Sequence, residues 1–161
     1  MIIGTLESML IILSAYIILL IVQKLVDFVK LIRLSTKEGS VIESLKDFTK
    51  EEYIFLCKKF LEKDCFIDFV NVYDDFFVCC KNGIKYGLII SKEEKMLKEK
   101  DIEHFYGYII LNNLDGMVII TSYGYEDKIK EKAENVMNLK FISYSIEQVG
   151  EIYNNFFEFI D

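Results

Sequence analysis

The stretch FFVCCKNGIKYGLIIS, residues 76–91, decides the fold of this chain. Two runs of β-forming residues, 76–81 and 84–91, flank the dipeptide Asn82-Gly83. A two-residue type I′ turn needs positive φ at both central positions, and Asn-Gly adopts that turn most readily. The sequence therefore predicts an antiparallel hairpin in which Lys81 pairs with Ile84.

Helices and further strands are predicted on both sides of this hairpin. Thr49 followed by Glu52 is a capping box, and it begins a helix that the apolar spacing extends to Lys63. Alternation predicts a strand at residues 66–72. Helical spacing or apolar runs predict a helix at 102–111, a strand at 116–122, a helix around 129–137, a strand at 140–144 and a helix at 146–159. The order α-β-β-β-α-β-α-β-α predicts an α/β domain with a mixed sheet flanked by helices.

Composition and charge narrow the class of protein. The chain has 161 residues, is 52% hydrophobic and lacks proline, so it folds, with room for one domain and an appendage. The formal net charge is −7, and residues 1–48 hold five basic and five acidic side chains. All of the net negative charge therefore falls on the remainder of the chain, which argues against a protein that coats nucleic acid.

The amino terminus predicts a membrane anchor. Ile2 to Val22 is an apolar run with one charge, Glu7. About 20 helical residues cover the roughly 30 Å of a bilayer core. The run lacks the basic start and the small-residue cleavage site of a signal peptide. An amphipathic or partner-docked helix is the alternative.

The flanking charges predict the orientation of this anchor. Four basic side chains follow the span, whereas no Lys or Arg precedes it: Lys24, Lys30, Arg33 and Lys37. The positive-inside rule then predicts a single-pass protein with a cytoplasmic carboxyl-terminal domain. The predicted organisation is a transmembrane and juxtamembrane helix at 1–34, a linker at 35–48 and a folded domain at 49–161.

Five sequence features in order resemble a known family. They are the stretch at 61–66, Asp75 before the apolar residues 76–78, Ile90-Ser91-Lys92 at the end of the third strand, the tripeptide at 105–107, and GMVIITSYGYEDKI at 116–129. From residue 49 to about 155 the chain resembles the Mrr-like branch of the restriction-endonuclease-like fold, the type IV restriction endonucleases. The stretch at 116–129 is the most specific of the five.

The resemblance implies a metal-dependent nuclease site. Members of the family carry an Asp on the second strand and Glu-x-Lys or Gln-x-Lys on the third. Hard oxygen ligands hold Mg²⁺ on the scissile phosphate, and the Lys steadies the attacking water. Asp75 and Lys92 match this pattern, but Ile90 occupies the Glu or Gln position. The hairpin pairing places Asp75 opposite Ile90, so that Asp75, Ile90 and Lys92 share one face of the sheet.

Three functions follow from this pattern. A single Asp beside an Ile holds Mg²⁺ poorly, so we expect a degenerate nuclease site, no cofactor, and a DNA-binding or regulatory module at the membrane. The alternative is an active Mg²⁺-dependent DNA endonuclease that uses Asp75 as metal ligand, Lys92, and a displaced carboxylate from Glu93, Glu94 or Glu103. A membrane-associated structural subunit with a protein partner and no nucleic acid is the third.

The histidine and the four cysteines of the sequence are predicted to have structural roles. His104 is the only histidine and reads as a solvated helix residue. The four cysteines lack the paired spacing of a zinc site, and a reducing cytosol suits them. Cys57, Cys65, Cys79 and Cys80 are therefore expected to be small core residues.

Overall fold

The structure of the chain, a computed structural model, describes residues 12–22, residue 45 and residues 48–157, with side chains as far as residue 151. The chain divides into two compact units, Met1–Gly39 and Ser40–Asp161. The second unit contains the sheet and is the folded domain.

In the first unit, residues 12–22 are helical. All of their side chains are exposed, and the nine large apolar ones are between 42% and 69% exposed. Within residues 12–22, 45 and 48–157, no helix combines the length and the apolar character needed to cross a bilayer. The first ten residues of the predicted span, 2–11, lie outside the described residues, as does the predicted juxtamembrane segment, 23–34.

The domain follows the predicted order of helices and strands, with one addition. Its elements are α1 Lys50–Lys63, β1 Ile67–Tyr73, β2 Phe76–Lys81, β3 Ile84–Ser91, α2 Glu99–Leu111, β4 Gly116–Thr121, α3 Asp127–Glu131, a π-helical turn Lys132–Val136, β5 Lys140–Ser145 and α4 Ile146–Phe157. The five strands lie in the order β1-β2-β3-β4-β5. The first three are antiparallel, and β4 and β5 continue parallel to β3. The predicted α/β mixed sheet flanked by helices is confirmed.

The predicted hairpin forms as expected. Asn82 and Gly83 have φ values of 53° and 77°, and Lys81 pairs with Ile84. The capping box also forms, because the Glu52 amide donates to Thr49 Oγ1 at 3.2 Å and the Thr49 amide donates to the Glu52 carboxylate at 2.8 Å. Two local sequence signals therefore fix the start of α1 and the register between β2 and β3.

Successive residues of β2 show that α1 and α2 cover opposite faces of the sheet. The Phe76 ring stacks on Phe105 of α2, with centroids 4.7 Å apart. The next residue, Phe77, lies under the Lys58 ammonium of α1, 3.9 Å from the ring centroid. Because consecutive strand residues point to opposite faces, the two helices sandwich the sheet. Leu45 and Phe48, assigned by sequence to the linker, are both buried.

One carboxylate links three elements on the α1 face. Asp64, at the end of α1, accepts hydrogen bonds from Lys81 Nζ at 2.7 Å and from the Tyr144 hydroxyl. Burial opposes ionisation of this carboxyl, but the two hydrogen bonds outweigh it and hold the pKa of Asp64 below its usual value. The contact joins α1 to β2 and β5.

A pair of glycine substitutions tests the hairpin. Gly83→Ala should lower the free energy of unfolding by about 1 kcal/mol, because Gly83 has positive φ and a methyl group there would meet only open space. Gly107→Ala, equally unobstructed but inside α2, should raise it by up to about 1 kcal/mol. Urea unfolding of the full chain in nonionic detergent measures both. A shift in the same direction for both variants contradicts the turn.

Candidate functional site

The predicted site lies where β2 begins and β3 ends. Asp74 and Asp75 form the two-residue turn between β1 and β2. The Ile90 amide donates to the Asp75 carbonyl at 3.0 Å, so the pairing of β2 with β3 extends to these two residues. This agrees with the prediction that Asp75 stands opposite Ile90.

Ile90 is part of the core. Its side chain is 1% exposed, and it pairs with Ile120 of the neighbouring parallel strand. The position where the resembled family has a carboxylate or an amide therefore holds only carbon. Mg²⁺ needs oxygen ligands, so this donor set does not fit the metal.

The Asp75 carboxylate is neutralised from within the chain. Its Oδ1 atom lies 2.6 Å from Lys50 Nζ, in the first turn of α1. The hydrogen bond to Asp75 is the main reason that the pKa of Lys50 is raised, and the charges of Asp75 and Asp74 add to it. The Lys50 ammonium therefore already contacts Asp75, the carboxylate that was predicted to bind the metal.

Lys92 also contacts the start of α1. Its Nζ atom donates a hydrogen bond to the Phe48 carbonyl, just before the helix. Both polar residues of the predicted site thus connect the sheet to residues 48–50: Lys92 through Phe48, and Asp75 through Lys50. Lys50 was not predicted as a site residue, because nothing in the sequence indicates that a lysine in the first turn of a helix contacts a residue of the β1–β2 turn.

The three candidate displaced carboxylates lie in different places. Glu93 forms an ion pair with Lys95 at 2.9 Å. Glu94 lines a cavity of about 170 Å³ together with Lys92, Ser122 and Glu147. Glu103 is exposed on α2, which covers the opposite face of the sheet from α1. Of the three, Glu94 alone lines a cavity with Lys92 among those described.

Metal-ligand geometry is absent from the described part of the chain. No three His, Cys, Asp or Glu side chains within it are grouped so that they could hold a metal ion. His104 is exposed on α2, as predicted. Its ring lies 3.8 Å from the Phe105 ring, between centroids.

Two of the four cysteines, Cys57 and Cys79, are poorly suited to nucleophilic chemistry. Cys57 and Cys79 are buried, and burial raises the pKa of both thiols, that of Cys79 to about 12. The prediction that all four are core residues is wrong for Cys65, which is exposed. Cys65 follows the end of α1 with φ at 64°, and the next residue, Phe66, is fully buried.

A buried hydroxyl, that of Tyr53, interacts with two residues that line the Glu94 cavity, Ser122 and Glu147. Tyr53 is 0% exposed, and its hydroxyl makes no hydrogen bond within the described residues. Burial raises the pKa of Tyr53 most strongly, the charges of Cys57 and Glu147 add to the rise, and an interaction with the Ser122 hydroxyl opposes it. Ser122 and Glu147 line the cavity, and sequence analysis offered no signal for either Tyr53 or Glu147.

The sequence matches no protein-family model and no curated protein.

Two Tyr→Phe substitutions test the hydroxyl contacts. Tyr53→Phe removes a buried hydroxyl without a partner, and we expect it to raise the free energy of unfolding by about 1 kcal/mol. Tyr144→Phe removes a hydrogen bond to the Asp64 carboxylate, and a decrease of about 1 kcal/mol should follow. Thermal unfolding of the full chain measures both. Destabilisation by Tyr53→Phe would show that its hydroxyl is in fact satisfied.

Proposed function

We propose that this chain is a membrane-anchored protein whose cytoplasmic domain has the Mrr-like restriction-endonuclease fold and acts as a regulatory module without nuclease activity. The observation that carries this proposal is position 90. A buried Ile stands where the second metal ligand is required, next to a carboxylate already paired with Lys50.

The sheet supports the assignment to this fold. Three antiparallel strands lead into two parallel ones, and a helix covers each face. The hydrogen bond from the Ile90 amide to the Asp75 carbonyl supports the register that was predicted for these two residues. The resemblance itself rests on the sequence features at residues 61–129.

The contacts of the site support a structural role for its polar residues. Asp75 and Lys92 both contact the segment where α1 begins, at Lys50 and Phe48. Both residues therefore have structural partners that do not depend on catalysis, although an ion pair as exposed as Lys50–Asp75 contributes at most about 1 kcal/mol.

An active nuclease is the second candidate, and one observation favours it. Lys92 and Glu94 line the same cavity as Glu147. Two carboxylates beside a lysine provide the residue types that metal-assisted phosphodiester cleavage uses. In that case Glu94 would be the displaced carboxylate.

A cleavage assay separates the two candidates. The full chain in nonionic detergent is incubated with plasmid DNA and either Mg²⁺ or Mn²⁺. We expect no cleavage above that of a Lys92→Ala variant, because the site lacks a second ligand beside Asp75.

Matched variants make the opposite result interpretable. Cleavage lost in both Lys92→Ala and Glu94→Gln, but retained in Glu134→Gln, would establish the displaced-carboxylate nuclease. Glu134 is exposed on the π-helical turn, so Glu134→Gln removes the same charge at a position away from the site. Cleavage equal in every variant would indicate a contaminating nuclease.

The exposed apolar helix supports the membrane anchor. In residues 12–22 the large side chains are exposed on every side, as a lipid-embedded segment requires. Replacing Ile12 and Leu13 by Lys should release the chain from membranes, since both residues lie near the middle of the predicted span, where each lysine costs about 3 kcal/mol.

Alkaline carbonate extraction of membranes measures this release. The control adds the same two charges at Ile67 and Val70, which are exposed on β1. We expect the unmodified chain and this control to stay in the membrane pellet, and protease to reach the domain in inverted vesicles. Extraction of the unmodified chain by carbonate would favour a peripheral helix.

A further inference from the structure

The Glu94 cavity, of about 170 Å³, lies at the carboxyl ends of the three parallel strands. Residues that follow β3, β4 and β5 in the chain line it: Lys92 and Glu94, Ser122 and Tyr123, and Ile146 and Glu147. In sheets with parallel strands, ligands bind outside the carboxyl ends of those strands. The cavity is therefore at the place in this fold where a ligand site is expected.

Two hydroxyls at this cavity make no hydrogen bond with any described residue. Tyr53 is fully buried, and the Ser122 Oγ atom is buried as well. They are neighbours, since the Ser122 hydroxyl affects the pKa of Tyr53, and Glu147 of the cavity wall affects it too. A buried hydroxyl without a partner costs stability, so a native protein that keeps one usually has a use for it. Ser122 lines the cavity, so a molecule bound there can supply the missing partners.

The charges that line the cavity are of both signs. Lys92 supplies an ammonium and Glu94 a carboxylate. The second carboxylate, Glu147, interacts with the Ser145 hydroxyl and with its own amide at the start of α4, and these contacts lower its pKa. An anion would meet the carboxylates and a cation would meet the ammonium, whereas a zwitterion presents the opposite charge to each. The charges therefore favour a ligand that carries one ammonium and one carboxylate.

The size and the apolar part of the wall narrow the ligand further. A water molecule takes up about 30 Å³ of the liquid, so a cavity of this volume suits a ligand of about six heavy atoms. Leu45 and Ile146, which are 1% and 7% exposed, supply the apolar part of the wall. An α-amino acid with a small apolar side chain combines this size with both charges.

We propose that the Glu94 cavity binds a small α-amino acid such as alanine. The ammonium of the ligand would contact Glu94, and its carboxylate would contact Lys92. The Tyr53 and Ser122 hydroxyls would donate hydrogen bonds to that carboxylate, and the ligand side chain would pack against Ile146. The proposal rests on the proposed function, since it names the ligand to which the regulatory module would respond.

Saturation-transfer NMR on the full chain in nonionic detergent tests this proposal. The probe is ¹³C-labelled L-alanine, whose methyl signal is selected by isotope editing so that detergent signals are removed. Three unlabelled competitors are added: propionate lacks the ammonium, ethylamine lacks the carboxylate, and glycerol is of similar size but uncharged. We expect L-alanine to bind and each competitor to bind at least about tenfold more weakly, because each lacks at least one charge-assisted contact.

Three variants locate the binding. Tyr53→Phe, Ser122→Ala and Glu94→Gln should each weaken L-alanine binding by about fivefold, because each removes one contact. Since Tyr53→Phe is expected to stabilise the chain without ligand, weaker binding in this variant cannot come from unfolding. The matched controls, Tyr106→Phe and Glu134→Gln, should bind like the unmodified chain. Within the described residues Tyr106 is also buried with an unpartnered hydroxyl, but it lies on α2, on the opposite face of the sheet.

Three results would overturn the proposal. Absence of saturation transfer to L-alanine would mean that the cavity takes no amino acid. Equal effects of the three variants and the two controls would place the binding elsewhere. A competitor that binds as tightly as L-alanine would show that the paired charges do not select the ligand. DNA cleavage by the chain, which is measured separately, would defeat the proposed function, whereas these three results would defeat only the amino-acid site.

Discussion

Antiparallel pairing of β2 with β3 is the constraint on which this domain depends. It is set by the Asn82-Gly83 turn, and it decides which side chains of the central strands face α1 and which face α2. Phe76 and Phe77 then anchor the two helical layers on opposite faces. The same register brings the Asp75 carbonyl to the Ile90 amide, where β2 begins and β3 ends. Fold and candidate site are therefore consequences of one hairpin.

At the adjoining ends of β2 and β3, the polar residues make contacts within the chain. Ile90 is buried, Asp75 is paired with Lys50, and Lys92 donates to the Phe48 carbonyl. Each contact joins the sheet to the segment where α1 begins. An internal ammonium beside a carboxylate satisfies its charge without a bound ion, and it costs little desolvation because both side chains remain partly exposed. These contacts are thus compatible with the structural role proposed for Asp75 and Lys92.

Local signals made most of the fold predictable, and long-range contacts limited what could be inferred about the site. The hairpin and the Thr49 capping box depend on neighbouring residues, so both were predicted. The α2 helix begins at Glu99 rather than at residue 102, because its first turn is polar and gives no apolar periodicity. The π-helical turn depends on packing and has no sequence signal. The ion pair between Lys50 of α1 and Asp75 of the β1–β2 turn joins residues that are far apart in the sequence, so it could not be inferred from residue spacing.

We expect that the ends of β2 and β3 around Asp75 do not hold a divalent metal. Electron paramagnetic resonance of Mn²⁺ titrated into the full chain measures this directly, because bound and free Mn²⁺ give different signal intensities. The free-ion signal of the unmodified chain should match that of an Asp75→Asn variant. A loss of one equivalent of free Mn²⁺ that Asp75→Asn abolishes would contradict it, since Asp75 would then be a metal ligand.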